Sequence, residues 1–166
     1  MSISSLLLQE FDAEVKATRT TLERVPANAE YQPHPKSMKL GKLAPHVAQL
    51  AGFGLVIMTT PELDFSKSSI TPLPFESAAQ LVKAFDEGAA KARAALEKVP
   101  DSAWTEPWKL SFQGKTIFAG DRFLAYREMF INHLVHHRAQ LGVYLRLNGV
   151  PVPATYGPSA DDTLGF

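Results

Sequence analysis

Apolar residues recur every three or four positions along most of this chain, which is the periodicity of an amphipathic helix. A first helix is predicted from about Ser4 to Val25, ending at Pro26 because proline cannot continue a helix. A second is predicted to begin near Ser37, a suitable N-terminal cap, and to end before Pro61. The apolar stripe of the first helix consists of Leu7, Leu8, Phe11, Val15, Thr18 and Leu22.

Two more helices are predicted after a long proline- and serine-rich loop at residues 61–74. The third covers about Phe75 to Val99, and the fourth covers about Ala119 to Leu147, where Asn148-Gly149 is a typical helix end. Between them, residues 110–118 alternate apolar and polar positions, so they pair as a brief hairpin or remain a loop. Four helices with little strand signal predict an all-α four-helix bundle.

Length and charge narrow the function classes. The 166 residues suit one domain, residues 1–166, and 45% of them are hydrophobic, which is enough for a core. The 17 basic and 17 acidic residues cancel, which disfavours nucleic acid as a partner. The N-terminus lacks a signal-peptide pattern, and the most apolar stretch, residues 50–60, is short for a membrane span. We therefore expect a cytoplasmic protein that does not cross a membrane.

The chain contains no cysteine and five histidines, so thiolate chemistry and cysteine-type metal sites are excluded. In the fourth helix His133 and His137 are four residues apart, which places them on one face. They belong to a heptad pattern that predicts inward positions, and His46 has an equivalent position in the second helix. The two patterns are Phe123, Tyr126, Phe130, His133, His137, Gln140, Tyr144 and Leu43, His46, Leu50, Phe53, Ile57.

Three inward imidazoles at one level are costly to desolvate, and a shared divalent cation is the simplest way to stabilise them. Three nitrogen ligands suit zinc or nickel and leave a coordination position open for water or a substrate. The alternative is a metal-free bundle in which the core histidines are hydrogen-bonded.

No catalytic residue can be named from the sequence. Leu134 follows His133 where an HExxH protease has its glutamate, so that class is excluded. His34, between two prolines, is expected to be solvated, while His136 and Arg138 either border the pocket mouth or have surface or salt-bridge roles. Four aromatic residues are predicted on loops, where they pack over the bundle end or wall a pocket: Trp104, Trp108, Phe112 and Tyr156.

Three stretches together resemble the DinB-like (YfiT-type) family of bacterial four-helix-bundle metalloproteins. They are Lys42-Leu43-Ala44-Pro45-His46-Val47, His133-Leu134-Val135-His136-His137-Arg138-Ala139-Gln140, and the tail from Leu147 through Ser159. The resemblance implies an up-down-down-up bundle, a metal site formed by His46, His133 and His137, and a homodimer. Two departures are Ala139, where the family often has glycine, and Pro45, which can kink the second helix.

The resemblance also implies several functions. Relatives include S-transferases and isomerases that use low-molecular-weight thiols, and proteins described as metal-dependent hydrolases. The lead hypothesis is a metalloenzyme that activates a thiol or water, with thiol transfer favoured because the metal motif fixes no carboxylate. The competing hypothesis is a non-catalytic metal-binding stress-response or ligand-binding module.

Overall fold

A computed structural model describes residues 2–163 and 165 of the chain and shows a mostly helical protein with a small sheet. A 3-10 helix, Asp101–Thr105, precedes the sheet hairpin, and a π-helical segment, Tyr126–Asn132, joins the last two α-helices. The α-helices are α1 Ile3–Glu23, α2 Leu40–Thr59, α3 Ala78–Leu96, α4 Arg122–Ala125 and α5 His133–Leu147.

The three-stranded sheet corrects the prediction of a purely α-helical protein. Its strands are β1 Glu62–Asp64, β2 Pro107–Phe112 and β3 Lys115–Asp121, in the order β1-β2-β3. β2 and β3 form the antiparallel hairpin that the alternation at residues 110–118 left open, and β1 pairs parallel to β2. β1 lies in a segment predicted to be loop, since three residues are too few to show a periodicity.

Local hydrogen bonds set helix starts that differ from the predicted ones. α2 begins at Leu40 with Lys39 as its cap residue, so Ser37 is not the cap. α3 begins after Ser77, whose hydroxyl accepts a hydrogen bond from the Gln80 N–H. α4 begins after Asp121, whose carboxylate accepts from the Leu124 N–H at 2.7 Å, because the preceding residues belong to β3.

The core lies between the long helices, with α2 packed against α3 and α5, and α1 also packed against α3 and α5. Among the described residues, α2 is the one helix whose length and apolar composition would allow it to cross a membrane. However, 56% of its most apolar stretch is buried inside the protein, as expected of the central helix of a bundle. The apolar side chains of α2 thus contribute to the core of the protein.

The π-helical segment changes which residues of the last helical stretch face inward. Tyr126 and Phe130 are fully buried, but Phe123 is 40% exposed, so its predicted inward position is wrong. A π-helix forms i→i+5 hydrogen bonds and has more residues per turn, so it rotates α4 relative to the heptad pattern downstream.

The tryptophans do not lie on loops as predicted. Trp104 belongs to the 3-10 helix and Trp108 to β2, and both are fully buried in the core. Phe112 also lies on β2, where it is largely exposed. Only Tyr156 of the four predicted aromatic residues lies outside a helix or strand, in the tail after α5.

Candidate metal centre

Three imidazoles meet where α2 faces α5. His46 lies in the second turn of α2, while His133 and His137 begin the first and second turns of α5, and all three are half-buried. Their ring centroids are 4.6–5.1 Å apart, and the Nε2 atoms of His46 and His133 are 3.3 Å apart. One nitrogen from each ring lies within 4.8 Å of the others. The structure therefore brings together all three histidines that the sequence predicted to share a site.

Two of these imidazoles are oriented by a hydrogen bond at the opposite nitrogen. Nδ1 of His133 donates to the backbone carbonyl of Met129 at 3.2 Å, and Nδ1 of His137 donates to Oε1 of Gln140 at 2.7 Å. A proton on Nδ1 leaves the lone pair on Nε2, which is the arrangement found in metal-binding histidines. Both rings thus keep Nε2 free, and Nε2 of His133 faces Nε2 of His46.

The environment keeps these histidines neutral near pH 7. Burial, with the neighbouring His137 and His133, lowers the pKa of His46 to about 4. Burial likewise lowers the pKa of His133 and of His137, although the Met129 carbonyl and the Gln140 side chain each act in the opposite direction. Neutral imidazole is the form that coordinates a metal, so protons compete little at this cluster.

Two contacts fix α2 against the helical stretch that carries His133. A Cβ atom on Gly54 would lie 2.7 Å from Cδ1 of Phe130, so glycine permits the close approach at this point. At the end of α2, the buried Arg122 guanidinium donates to the carbonyls of Ile57 at 2.5 Å and Thr60 at 2.8 Å. α2 continues through Pro45 without a break.

A cavity of about 930 Å³ opens beside the cluster. His46, His133 and His136 line this cavity. Of the two roles predicted for His136, the pocket and the surface or a salt bridge, the structure therefore shows the pocket. Glu128, from the π-helical segment, lines the same cavity and supplies a carboxylate that the sequence analysis did not name. Apart from the histidines, the walls are mainly apolar.

Arg138 forms a salt bridge, one of the two roles predicted for it, and it does not line this cavity. Its Nη1 is 2.5 Å from Oε2 of Glu14, and its Nη2 donates to the Tyr156 hydroxyl at 2.6 Å. Both charged side chains are buried, so this ion pair joins α1, α5 and the tail in the interior. His34 is exposed, and its Nδ1 accepts from the Lys36 N–H.

The distance between His46 and His133 fits a tetrahedral divalent cation, and His137 supplies a third nitrogen within 4.8 Å. Two nitrogens that each lie about 2.0–2.1 Å from a tetrahedral ion are about 3.3 Å apart, which matches the separation between His46 and His133. His46, His133 and His137 would hold the ion, and the Nδ1 hydrogen bonds of His133 and His137 leave the Nε2 lone pairs of these two rings free.

Sequence reasoning missed three contributors to the site. Gln140 is exposed, so its predicted inward position is wrong, but it could have been found as the residue one turn beyond His137. The Met129 carbonyl has no sequence signal, because any residue supplies a carbonyl. Glu128 is one of many acidic residues on helices, and its position in the sequence does not show that it lies at the cavity.

Comparisons with known proteins agree with this architecture. The chain is similar in fold to a DinB-like protein from Bacillus cereus ATCC 10987, with a TM-score of 0.64, 21% identity, and coverage of 90% of this chain and 95% of that one. It is also similar to the DinB-like protein YjoA from Bacillus subtilis, with a TM-score of 0.64, 17% identity, and coverage of 87% and 92%. No curated protein sequence matches the chain. The model of the DinB family matches residues 1–163, and the chain therefore belongs to the DinB family.

Proposed function

We propose that this protein is an enzyme that binds a divalent cation, zinc or nickel, through His46, His133 and His137 and uses the cation in catalysis. The observation that carries the proposal is the convergence of three neutral imidazoles, two of which, His46 and His133, line a large cavity. Three protein ligands are the number typical of catalytic rather than structural zinc sites.

The reaction we propose is thiol-dependent S-transfer. A bound divalent ion would lower the pKa of a coordinated thiol or water and so supply a nucleophile near neutral pH. The three histidines fix its position, and the apolar walls exclude water from the substrate. The chain has no cysteine, so the thiol is a cosubstrate, a low-molecular-weight compound supplied from outside.

Metal-dependent hydrolysis is a second candidate, favoured by Glu128. This carboxylate lines the same cavity as His46 and His133, so it can accept a proton from a water molecule that enters the site. In thiol transfer a carboxylate is not needed in this role. Replacement of Glu128 therefore distinguishes the two reactions.

The test begins with metal content. Purified protein is stripped with chelator, reloaded with zinc or nickel, and measured by elemental analysis together with single His46→Ala, His133→Ala and His137→Ala variants. We expect one ion per chain in the parent and strongly reduced occupancy in each variant, with His34→Ala as the matched control that retains the metal. Near-zero metal in the reloaded parent would reject the site.

Activity is then assayed on the loaded protein with panels of thiols plus electrophiles and of esters and amides. Turnover that needs a thiol and survives Glu128→Gln supports S-transfer, whereas thiol-independent turnover lost in Glu128→Gln supports hydrolysis. Full occupancy without turnover in any panel would instead favour the non-catalytic binding module.

We also propose a cytoplasmic homodimer with helices in up-down-down-up order. The exposed apolar side chains of Val143 and Leu147 on α5 support a surface for a second copy. Sedimentation equilibrium of the parent and of a Val143→Glu variant tests the assembly, and a monomeric parent at micromolar concentration would reject it.

A further inference from the structure

The cavity beside the histidines is lined mainly by apolar side chains, which favours an apolar substrate. Its volume of about 930 Å³ is at the upper end of the range for small-molecule pockets, which is about 300–1,000 Å³. Apolar side chains from α2, from the segment after β1 and from the sheet form most of its wall. They include Phe53, Phe65, Ile70, Leu73, Leu110 and Ile117.

We propose that this cavity takes a small molecule with a bulky aromatic body, whose polar group points toward the histidines. The assignment of the polar end rests on the metal site of the proposed function. The assignment of the aromatic body rests on the walls alone, so the two can fail separately.

The charged groups of the cavity lie at its edge. Glu87 and Lys91 on α3 and Glu128 on the π-helical segment are exposed side chains, so they contact solvent at the mouth. A charged group deep in the cavity would face apolar carbon and lose its hydration without a partner. The body of the ligand is therefore uncharged.

Two aromatic rings of the wall stack on each other. Phe53 and Phe65 have ring centroids 6.1 Å apart and an interplanar angle of only 13°. Trp108 packs edge-on behind Phe53, at 6.3 Å and 83°, and so restricts how far that ring can turn. Aromatic rings pack well in offset and edge-to-face arrangements against other rings, so a planar aromatic body gains ring contacts here that an aliphatic chain does not.

Gln49 holds another part of the wall in place. Its Nε2 donates to the carbonyl of Thr71, and its Oε1 accepts from the N–H of Leu73, each at 2.9 Å. The segment it binds lies outside the helices and strands, and it presents Ile70 and Leu73 to the cavity. Gln49 is three residues after His46 on α2, so one helix positions both the metal end and the apolar wall. Gln49 is therefore a positioning residue for the substrate body.

The test uses two ligands with the same metal-binding group. Zinc-loaded protein is titrated by calorimetry with acetohydroxamate and with 2-naphthohydroxamate, and each affinity is corrected for the ligand's affinity for free zinc. We expect the naphthyl ligand to bind at least tenfold more tightly. Gln49→Ala and Ile70→Ser are each expected to reduce this ratio at least fivefold while leaving zinc content and acetohydroxamate affinity unchanged.

Controls separate a local effect from misfolding. Gln9→Ala removes an exposed amide on α1 and is expected to keep the full ratio. Ile70 is 48% exposed, so Ile70→Ser changes the wall without removing a core residue, even if Gln49→Ala folds poorly. Equal affinities for the two hydroxamates, or a ratio unchanged in both wall variants, would overturn the proposal.

Failure of the metal site leads to a different result. If the protein holds no zinc, the metal-free chain is tested with 2-naphthol by equilibrium dialysis. Saturable binding that Ile70→Ser weakens would then support the aromatic-body site and reject only the metal centre. No saturable binding would overturn the cavity proposal as well.

Discussion

At the scale of single residues, the hydrogen bond on Nδ1 determines which imidazole nitrogen is free for a ligand. For His137 this bond goes to the Gln140 side chain, which is exposed and belongs to the same helix. We predict that Gln140→Ala lowers zinc affinity about tenfold, because the ring loses the acceptor that fixes its tautomer and orientation. Competition with a chromophoric chelator measures the change. Gln140→Glu keeps an acceptor and should retain most of the affinity; equal losses in both variants would contradict this role.

The buried ion pair makes a second residue-scale prediction, about stability. Arg138 is 3% exposed and Glu14 is 6% exposed, so Arg138→Met leaves a carboxylate uncompensated in the interior. We expect a loss of about 3–5 kcal/mol in the free energy of unfolding, measured by urea denaturation. Arg19→Met is the control, because its ion pairs are exposed and should leave the midpoint nearly unchanged. A small loss in Arg138→Met would mean that water reaches this pair.

The histidine cluster predicts a pH dependence of the metal-free protein. His46 takes up a proton near its ordinary pKa of 6.5 when unfolded but only at about 4 when folded. Between these values the unfolded state binds more protons, so stability should fall as the pH decreases from about 6.5 toward 4. Unfolding midpoints in urea across this range measure the slope. His46→Gln should flatten it, and the exposed His34→Gln should not; an unchanged slope in His46→Gln would assign the effect elsewhere.

At the scale of elements, the distance between α2 and the π-helical segment depends on one glycine. Gly54→Ala would place a methyl group against the Phe130 ring, which is fully buried and has little room to move. We predict a loss of about 1–3 kcal/mol in stability and a weaker affinity for zinc, because α2 carries His46. Gly52→Ala, on the same helix, meets no atom within 4 Å and should be neutral or stabilising. Equal effects of the two substitutions would mean that helix propensity, not the close approach, is responsible.

The elements also show how far sequence reasoning reaches. The helical periodicity predicted the long helices, and the i,i+4 spacing with the stripe of α2 predicted that His46, His133 and His137 meet. Periodicity did not predict β1, whose pairing with β2 depends on residues distant in sequence. It also placed Phe123 inward, because a heptad pattern assumes one constant number of residues per turn, and the π-helical segment breaks that assumption.

At the scale of the whole molecule, metal binding and folding are coupled, because the three ligands come from helices that lie far apart in sequence. An ion that binds only the folded state stabilises it by about 2.7 kcal/mol at a hundred times its dissociation constant. We therefore predict a higher Tm with zinc than with chelator, measured by calorimetry. His137→Ala should abolish the difference, and a zinc-dependent shift that persists in that variant would indicate another site.

The π-helical segment separates two registers within one continuous helical stretch. Upstream of it, α4 packs against the 3-10 helix and the core, whereas downstream of it α5 carries His133 and His137. A one-residue insertion or deletion disrupts most helices because it rotates everything beyond it by about 100°. Here the wide π-helical turn already rotates the downstream part of the stretch relative to the upstream part. We therefore expect insertions or deletions between Tyr126 and Asn132, rather than substitutions, to reorient the histidines while the upstream packing persists. Such changes of length would alter the metal site without disrupting the rest of the helical stretch.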